Sequence, residues 1–234
     1  MMNQFPAHAT PAVLQSTLLL LTGLVLGMRH AFDRDHVAAV THFISLEPDP
    51  VKSAWFGCRW AIGHAVTVLG LGSLILLLHL KLDPSFERYA ELAVGITLIA
   101  LGIWRLLLLW QERRHVHRHA HHQKEHSHAH SHEPGREHVH RFAPTVVGMV
   151  HGASGTAELF VLIPITLIST TWLAYFYIAL FSAGCALTMS IYGYVVGRFY
   201  RRANQTGQRI YRTLVVLTSL SGLILGVVWI LKNF

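Results

Sequence analysis

The chain has 234 residues, of which 52% are hydrophobic and only 13% are charged. A soluble globular domain usually carries about 25% charged residues, so this composition argues against a soluble protein. The formal net charge of +7 would suit a nucleic-acid partner. However, most Lys and Arg residues lie in loops between apolar stretches, as the positive-inside rule of membrane proteins predicts. We therefore expect a lipid bilayer and no nucleic acid around this chain.

Six apolar segments follow one another along the chain, and they occupy most of it. A hydrocarbon core about 30 Å thick requires roughly 20 apolar residues in a helical span. The segments cover about residues 11–31, 54–80, 88–110, 143–168, 171–198 and 209–231. We expect an all-α membrane protein with six transmembrane helices, of which the first is a retained span and not a cleaved signal peptide.

Basic residues are concentrated on one side of the predicted spans. The loops 42–53, 111–142 and 199–208, with their flanks, carry most of them, whereas the loops 81–87 and 169–170 and both termini carry few. The positive-inside rule therefore places the first three loops in the cytoplasm. The prediction is a multi-pass protein of the inner (plasma) membrane with both termini outside.

The sequence matches itself when it is shifted by 121 residues. Residues 27–31 (GMRHA) match 148–152 (GMVHG), and 63–67 (GHAVT) match 184–188 (GCALT). Small residues also recur because transmembrane helices pack through them, but the matched histidine is not a packing residue. A repeat of three spans forces the two halves into opposite orientations, and inverted repeats are typical of transporters.

The repeat divides the chain into three parts. Residues 1–110 form a first three-helix repeat, 111–142 a connecting loop, and 143–234 a second three-helix repeat. The loop holds eleven histidines and no apolar pattern, so we expect it to be disordered. His-rich tracts bind divalent metals weakly, and we interpret this one as a cytoplasmic metal buffer or sensor.

A cluster of imidazole and carboxylate groups follows the first apolar segment directly. Its candidate metal ligands are His30, Asp33, Asp35 and His36. Each ionisable residue inside a membrane costs roughly 2.5–3.5 kcal/mol on insertion scales. Imidazole and carboxylate suit Zn, Ni, Co, Fe or Mn, and the absence of clustered thiolates argues against copper(I). In the alternative interpretation, this is a polar turn whose acids pair with Arg29 and Arg34.

Helical geometry restricts how this cluster can act. At about 100° per residue, His30 and Asp33 share one face of a straight helix, whereas Asp35 points to nearly the opposite side. One straight helix cannot direct all four groups at one ion. We therefore expect the first helix to be broken or distorted near the motif, as in many transporters, or else Asp35 is not a ligand.

Five further residues are candidates for the ion path. His64, deep in the second predicted span, is a fifth candidate metal ligand, although a lone histidine is often a hydrogen-bonded core residue. In the second half, His151 and Glu158 could form a proton relay or a second transit site, and Cys185 aligns with His64. His42 lies just past the cluster and could guide ions outward.

These residues resemble the signatures of the nickel/cobalt transporter family. Residues 29–37 are similar to its His-x4-Asp-His motif, with Arg34 in place of the usual Ala. Residues 63–68 resemble its second motif, and 155–158 partly match a third. Classical members have eight spans, so this chain is closer to the short branch of urease-accessory nickel permeases and His-loop nickel/cobalt exporters. The resemblance implies ion permeation without ATP hydrolysis, and the chain lacks a phosphate-binding Gly-x4-Gly-Lys-Ser/Thr loop.

We therefore expect a transporter of Ni²⁺ or Co²⁺, and uptake is favoured over efflux. We expect no enzymatic activity and no cofactor. Its partners are the divalent ion and the bilayer, with a cytoplasmic metallochaperone as a further candidate. The sequence does not indicate the oligomeric state.

Two other classes of function are a membrane-embedded metalloenzyme and a metal-sensing scaffold based on the loop. The loss of the acids at Ser154 and Thr156, which align with Asp33 and Asp35, argues against the enzyme.

Deletion of 115–140 tests the interpretation of the His-rich loop. Because weak, redundant histidine sites buffer metal without forming the path, the deletion lowers the amount of metal bound per protein but leaves transport measurable. Metal binding by the purified protein and isotope uptake by cells check this. Complete loss of transport at normal expression would contradict it.

Overall fold

In the computed structural model, the described residues 11–78, 83–114, 136–154 and 171–233 form α-helices and no strand. In chain order the helices are α1 (Pro11–His30), α2 (Arg34–Ile44), α3 (Pro50–Leu78), α4 (Pro84–Arg114), α5 (Arg136–Ala153), α6 (Thr171–Thr206) and α7 (Gln208–Asn233). The predicted all-helical architecture is confirmed for this part of the chain. Helices suit a bilayer because each one satisfies its own backbone hydrogen bonds.

Three helices in the described part of the chain are long and apolar enough to cross a membrane. They are Ser85–Gln111 within α4, Thr171–Thr206 and Gln208–Asn233. Shorter apolar stretches lie in α1 (Ser16–His30) and α5 (Phe142–Ala153). These findings agree with a membrane protein. The full set of six spans stays a prediction, because the fourth predicted span extends beyond the described end of α5.

The first helix ends inside the His/Asp motif. The backbone N–H groups of Phe32 and Asp33 donate to the carbonyls of Arg29 and His30, at 3.0 and 2.9 Å, in a tight turn. Asp33 is then extended, with φ −60° and ψ 143°, and α2 begins at Arg34. A break near the motif is what the sequence predicted. The separate helix α2 was not predicted.

The short helix α2 lies at the centre of the bundle. Eight of its eleven residues are buried: Asp35, His36, Ala39, Val40, Thr41, His42, Phe43 and Ile44. It contacts all five helices from α3 to α7. Around it, α3 packs chiefly against α5 and α6, α4 against α7, and α1 against α6. Asp35 and His36, in the first turn of α2, are therefore enclosed by protein.

Glycines allow two pairs of helices to pack closely in the same manner. A Cβ atom at Gly27 of α1 would overlap the backbone of Phe181 in α6, and one at Gly148 of α5 would overlap the backbone of Trp60 in α3. Each residue of the first contact is separated by 121 positions from its counterpart in the second. The contact between α1 and α6 is therefore repeated between α5 and α3.

A second set of glycine contacts obeys the same relation. Gly184 of α6 lies against the backbone of Leu24 in α1, and Gly63 of α3 lies against the backbone of Thr145 in α5. The offset between the two contacts is again 121 residues. Small residues at such positions let helix backbones approach closely, and dispersion contacts then hold the helices together within a membrane.

Two alanine substitutions on α3 test this packing. Gly63→Ala places a methyl group in the backbone of α5, so we expect a loss of about 1–3 kcal/mol of stability from overpacking. Gly70→Ala is the matched control, because nothing lies within 4 Å of its added Cβ. The control should keep or slightly raise stability, since alanine favours helix by about 1 kcal/mol over glycine. Thermal unfolding in detergent measures both, and equal melting temperatures would contradict close packing at Gly63.

Candidate metal centre

Three buried histidines meet where α1, α2 and α3 come together. His30 ends α1, His36 lies in the first turn of α2, and His64 lies in the middle of α3. One ring nitrogen from each lies within 4.8 Å of the others. The three residues are at most 7% exposed. The structure therefore places three of the five predicted metal ligands in one group.

The distance between His30 and His64 suits a shared ion. Their Nε2 atoms are 3.1 Å apart. A first-row ion such as Zn²⁺ binds imidazole nitrogen at about 2.0–2.1 Å, so two nitrogens at right angles on one ion lie about 3.0 Å apart. The ring centroids of His30 and His36 are 4.5 Å apart, and those of His36 and His64 are 5.3 Å apart. The three rings are therefore close enough together for one metal ion to contact a nitrogen of each.

Hydrogen bonds orient two of the three rings. His30 Nδ1 lies 2.7 Å from a carboxylate oxygen of Asp33. His36 Nδ1 lies 3.1 Å from the backbone carbonyl of His30 and must donate, since a carbonyl only accepts. With both Nδ1 atoms protonated, the lone pairs of the neutral rings lie on Nε2. Partners of this kind orient metal-binding histidines in other proteins.

The two acids of the motif occupy different environments. The side chain of Asp33 is 46% exposed and contacts the side of His30 opposite His64. The side chain of Asp35 is only 5% exposed, and its carboxylate lies 3.4 Å from His36 Nε2 and 4.0 Å from His151 Nε2. Asp35 therefore places a carboxyl group between the two histidines. Because the break redirects the chain at Asp33, the straight-helix projection does not apply to Asp35.

The second half of the chain contributes His151 to this region. Its ring is fully buried, and its Nδ1 donates to the carbonyl of Val147 at 2.8 Å. The ring centroid lies 5.7 Å from that of His36. Cys185 is buried in α6, and Glu158 lies outside the described residues. The structure thus brings His151 beside the cluster.

His42 lies towards the other end of α2. It is six residues beyond His36, which corresponds to about 9 Å along a helix. Its Nδ1 donates to the carbonyl of Ala38 at 2.6 Å, and its ring packs against Gly222 of α7. His42 is therefore separate from the three-histidine group.

Two aromatic residues border the site, and sequence reasoning missed both. The buried ring of Trp60 stacks on the ring of His64, with 5.3 Å between the ring centroids, and its centroid lies 4.6 Å from that of His36. The ring of Phe181 lies 5.2 Å from His30. Two signals were present in the sequence: Trp60 precedes His64 by one helical turn, and the offset of 121 residues relates Trp60 to Phe181.

The sequence of the chain is similar to those of known nickel-transport proteins. The sequence model of NicO, described as high-affinity nickel-transport protein, matches residues 17–233. This chain belongs to the NicO family. A relative, the urease accessory protein UreH of Bacillus sp. (strain TB-90), is 29% identical over 222 residues, which cover 89% of each chain. No solved structure matches the chain.

Membership of NicO confirms two predictions made from the sequence. The resemblance to nickel transporters, first seen in residues 29–37 and 63–68, extends over nearly the whole chain. The family is one of transporters, so the protein is not an enzyme. The three-histidine group therefore lies in a chain of a nickel-transport family.

Removing one ring of the group tests whether it binds metal. His64→Ala leaves His30 and His36 without their third partner. Loss of a residue that only orients a metal ligand typically weakens metal binding about 10–100-fold, and we expect a larger loss of Ni²⁺ affinity in His64→Ala. Asp33 orients the His30 ring, so the loss of Ni²⁺ affinity in Asp33→Asn should fall within this range of about 10–100-fold. Isothermal titration of the full-length protein in detergent measures both dissociation constants.

Thr97→Val is the matched control for these variants. Thr97 lies on α4, where its hydroxyl donates to the carbonyl of Ala93 in its own helix. The control should bind Ni²⁺ as the unsubstituted protein does. Unchanged affinity in folded His64→Ala would rule out His64 as a ligand.

Proposed function

We propose that this chain carries Ni²⁺ or Co²⁺ into the cell through a site formed by His30, His36 and His64, without ATP hydrolysis. The observation that carries the proposal is the convergence of three buried histidines at a broken helix in a NicO chain. Imidazole ligands suit both ions. The ion is the substrate, and no resident cofactor is needed.

Each group of the motif has a distinct role in this proposal. The three Nε2 atoms replace part of the hydration shell of the ion. Asp33 holds the His30 ring through Nδ1, in the manner of carboxylate–histidine–metal arrangements. The buried carboxylate of Asp35 offsets the charge of the ion, either as a further ligand or from beside His36. A dication entering a poorly solvated region requires such compensation.

His151 is the proposed next station for the ion or for a proton. Its Nε2 faces the carboxylate of Asp35 at 4.0 Å, so the two halves of the chain approach each other at this acid. Cys185 and Glu158 extend the proposal along the second half. His42, six residues further along α2 than His36, is proposed to lie on the exit side.

The proposed scaffold consists of six spans in two inverted repeats, 1–110 and 143–234. The glycine contacts described above support it, and so do two ring contacts. His30 lies 5.2 Å from Phe181, and His151 lies 5.7 Å from Trp60. Each residue of the second pair is the counterpart of one in the first at the 121-residue offset. In inverted-repeat transporters, the substrate site lies at the repeat interface near mid-membrane.

The proposed setting is the inner membrane, with both termini outside and the loop 111–142 in the cytoplasm. The distribution of basic residues supports this orientation. A cytoplasmic His-rich loop would receive imported ions and pass them to a metallochaperone. Similarity to a protein named for an accessory role to urease also favours supply of the ion over its removal.

Metal accumulation by cells tests both the site and the direction. Cells that express the protein should accumulate more ⁶³Ni than cells that lack it, and His36→Ala should reduce accumulation to the level of the latter. The loss follows from removal of one ligand of a three-histidine site. Immunoblotting of membranes verifies equal expression, and Gly70→Ala serves as the control variant.

The sign of the change separates the alternatives. If expression lowers ⁶³Ni accumulation and His36→Ala restores it, the protein exports the ion. If His36→Ala transports normally, the site proposal is wrong. If wild-type cells differ from empty cells only while the His-rich loop is present, the protein acts as a metal-binding scaffold.

A further inference from the structure

A buried arginine lies on the membrane-spanning helix α4, outside the metal centre. Arg105 is only 1% exposed, and it lies within the apolar stretch Ser85–Gln111. A charged side chain at such a position is costly and generally marks a functional element. None of the roles assigned so far to the histidines and acids of the motif uses Arg105.

The guanidinium group binds the end of α2. Its Nε donates to the hydroxyl of Ser45 at 3.0 Å, and one Nη donates to the carbonyl of Ser45 at 2.9 Å. The same Nη donates to the Tyr211 hydroxyl of α7 at 3.2 Å, and that hydroxyl donates to the Ser45 carbonyl at 2.6 Å. Ser45 is the C-cap residue of α2. Arg105 and Tyr211 therefore form a clamp on its carbonyl end.

The clamp meets a specific electrostatic need of α2. The last carbonyls of a helix have no partner within the helix, and they form the negative end of its dipole, where a cation is favourable. A helix of eleven residues is too short to be stable alone. Its position therefore depends on the contacts made by its sides and by its two ends.

The other end of the same helix carries the metal centre. Asp35 and His36 lie in the first turn of α2, about 14 Å along the helix axis from Ser45 at 1.5 Å per residue. A hydrogen-bonded helix of this length moves as a unit. A shift at Ser45 would therefore displace the His36 ring relative to His30 and His64, which are carried by other helices.

We propose that Arg105, together with Tyr211, is a positioning residue for transport. By holding the carbonyl end of α2, the clamp keeps Asp35 and His36 at the distance from His30 and His64 at which one ion is bound. Arg105 precedes the His-rich loop and Tyr211 follows it, so the clamp also connects the two halves of the chain. This inference rests on the proposed function of the three-histidine site.

Three substitutions test the proposal in the full-length protein. Tyr211→Phe removes one hydroxyl at nearly constant volume, Arg105→Lys keeps the charge but loses the planar fork, and Arg105→Gln loses both. We expect the dissociation constant of Ni²⁺ in detergent, and the KM of ⁶³Ni uptake, to rise by about tenfold in Tyr211→Phe, near the low end of the range for residues that orient ligands. Arg105→Lys should bind Ni²⁺ more tightly than Arg105→Gln.

Arg59→Gln is the matched control for loss of a cation. Arg59 lies on α3, where its guanidinium carbon is 5.7 Å from the centre of the Trp55 ring, and it is not one of the clamp residues Arg105, Tyr211 and Ser45. It should keep the dissociation constant and the KM of the unsubstituted protein. Bound Co²⁺ provides a second readout, because displaced ligands alter its visible absorption spectrum.

The outcomes separate a positioning role from a structural one. If the variants unfold at lower temperature but bind Ni²⁺ with unchanged affinity and KM, Arg105 only stabilises the fold and the proposal is overturned. If the Arg105 variants do not fold, Tyr211→Phe decides in the same way. His36→Ala is measured alongside the clamp variants. If His36→Ala also binds and transports Ni²⁺ normally, the proposed site itself is wrong. If His36→Ala loses binding while the clamp variants keep it, only the positioning role is overturned.

Discussion

The interruption of the helix after His30 is the constraint on which the site depends. A helix that stops within a bundle leaves backbone groups that have no partner in the helix and must find one elsewhere. Here the carbonyl of His30 accepts hydrogen bonds from the Asp33 N–H and from the His36 ring. The carbonyl left without a helical partner at the end of α1 therefore orients His36, a candidate metal ligand on α2.

The helices around the break pack closely against one another. Glycines bring α1 against α6 and α3 against α5, with backbones near contact. Between these pairs, His64 on α3 reaches the end of α1, and its Nε2 lies 3.1 Å from that of His30. A larger residue at Gly63 or Gly148 would separate α3, which carries His64 and Trp60, from α5, which carries His151. Close helix packing and the candidate metal ligand His64 thus lie on the same helix, α3.

The sequence was informative where a signal was local. Apolar run length predicted the helical architecture, and the angular conflict between His30 and Asp35 predicted a break in the first helix. The sequence could not show that α2 is a separate buried helix, because its burial comes from five distant elements. The clamp was missed for a similar reason: Arg105 lies 60 residues from Ser45 and 106 residues from Tyr211. Trp60 was missed because aromatic residues are common in apolar spans.

The bond between His36 and the backbone of His30 has a consequence for how ion preference can change. A backbone carbonyl is present whichever side chain residue 30 carries, so the orientation of His36 is insulated from substitution there. In the proposed site, the side chain at position 30 can thus be exchanged, by divergence or by engineering, while the His36 imidazole keeps its direction. Softer or harder ligands at that single position would then retune selectivity among divalent ions within an otherwise unaltered cage.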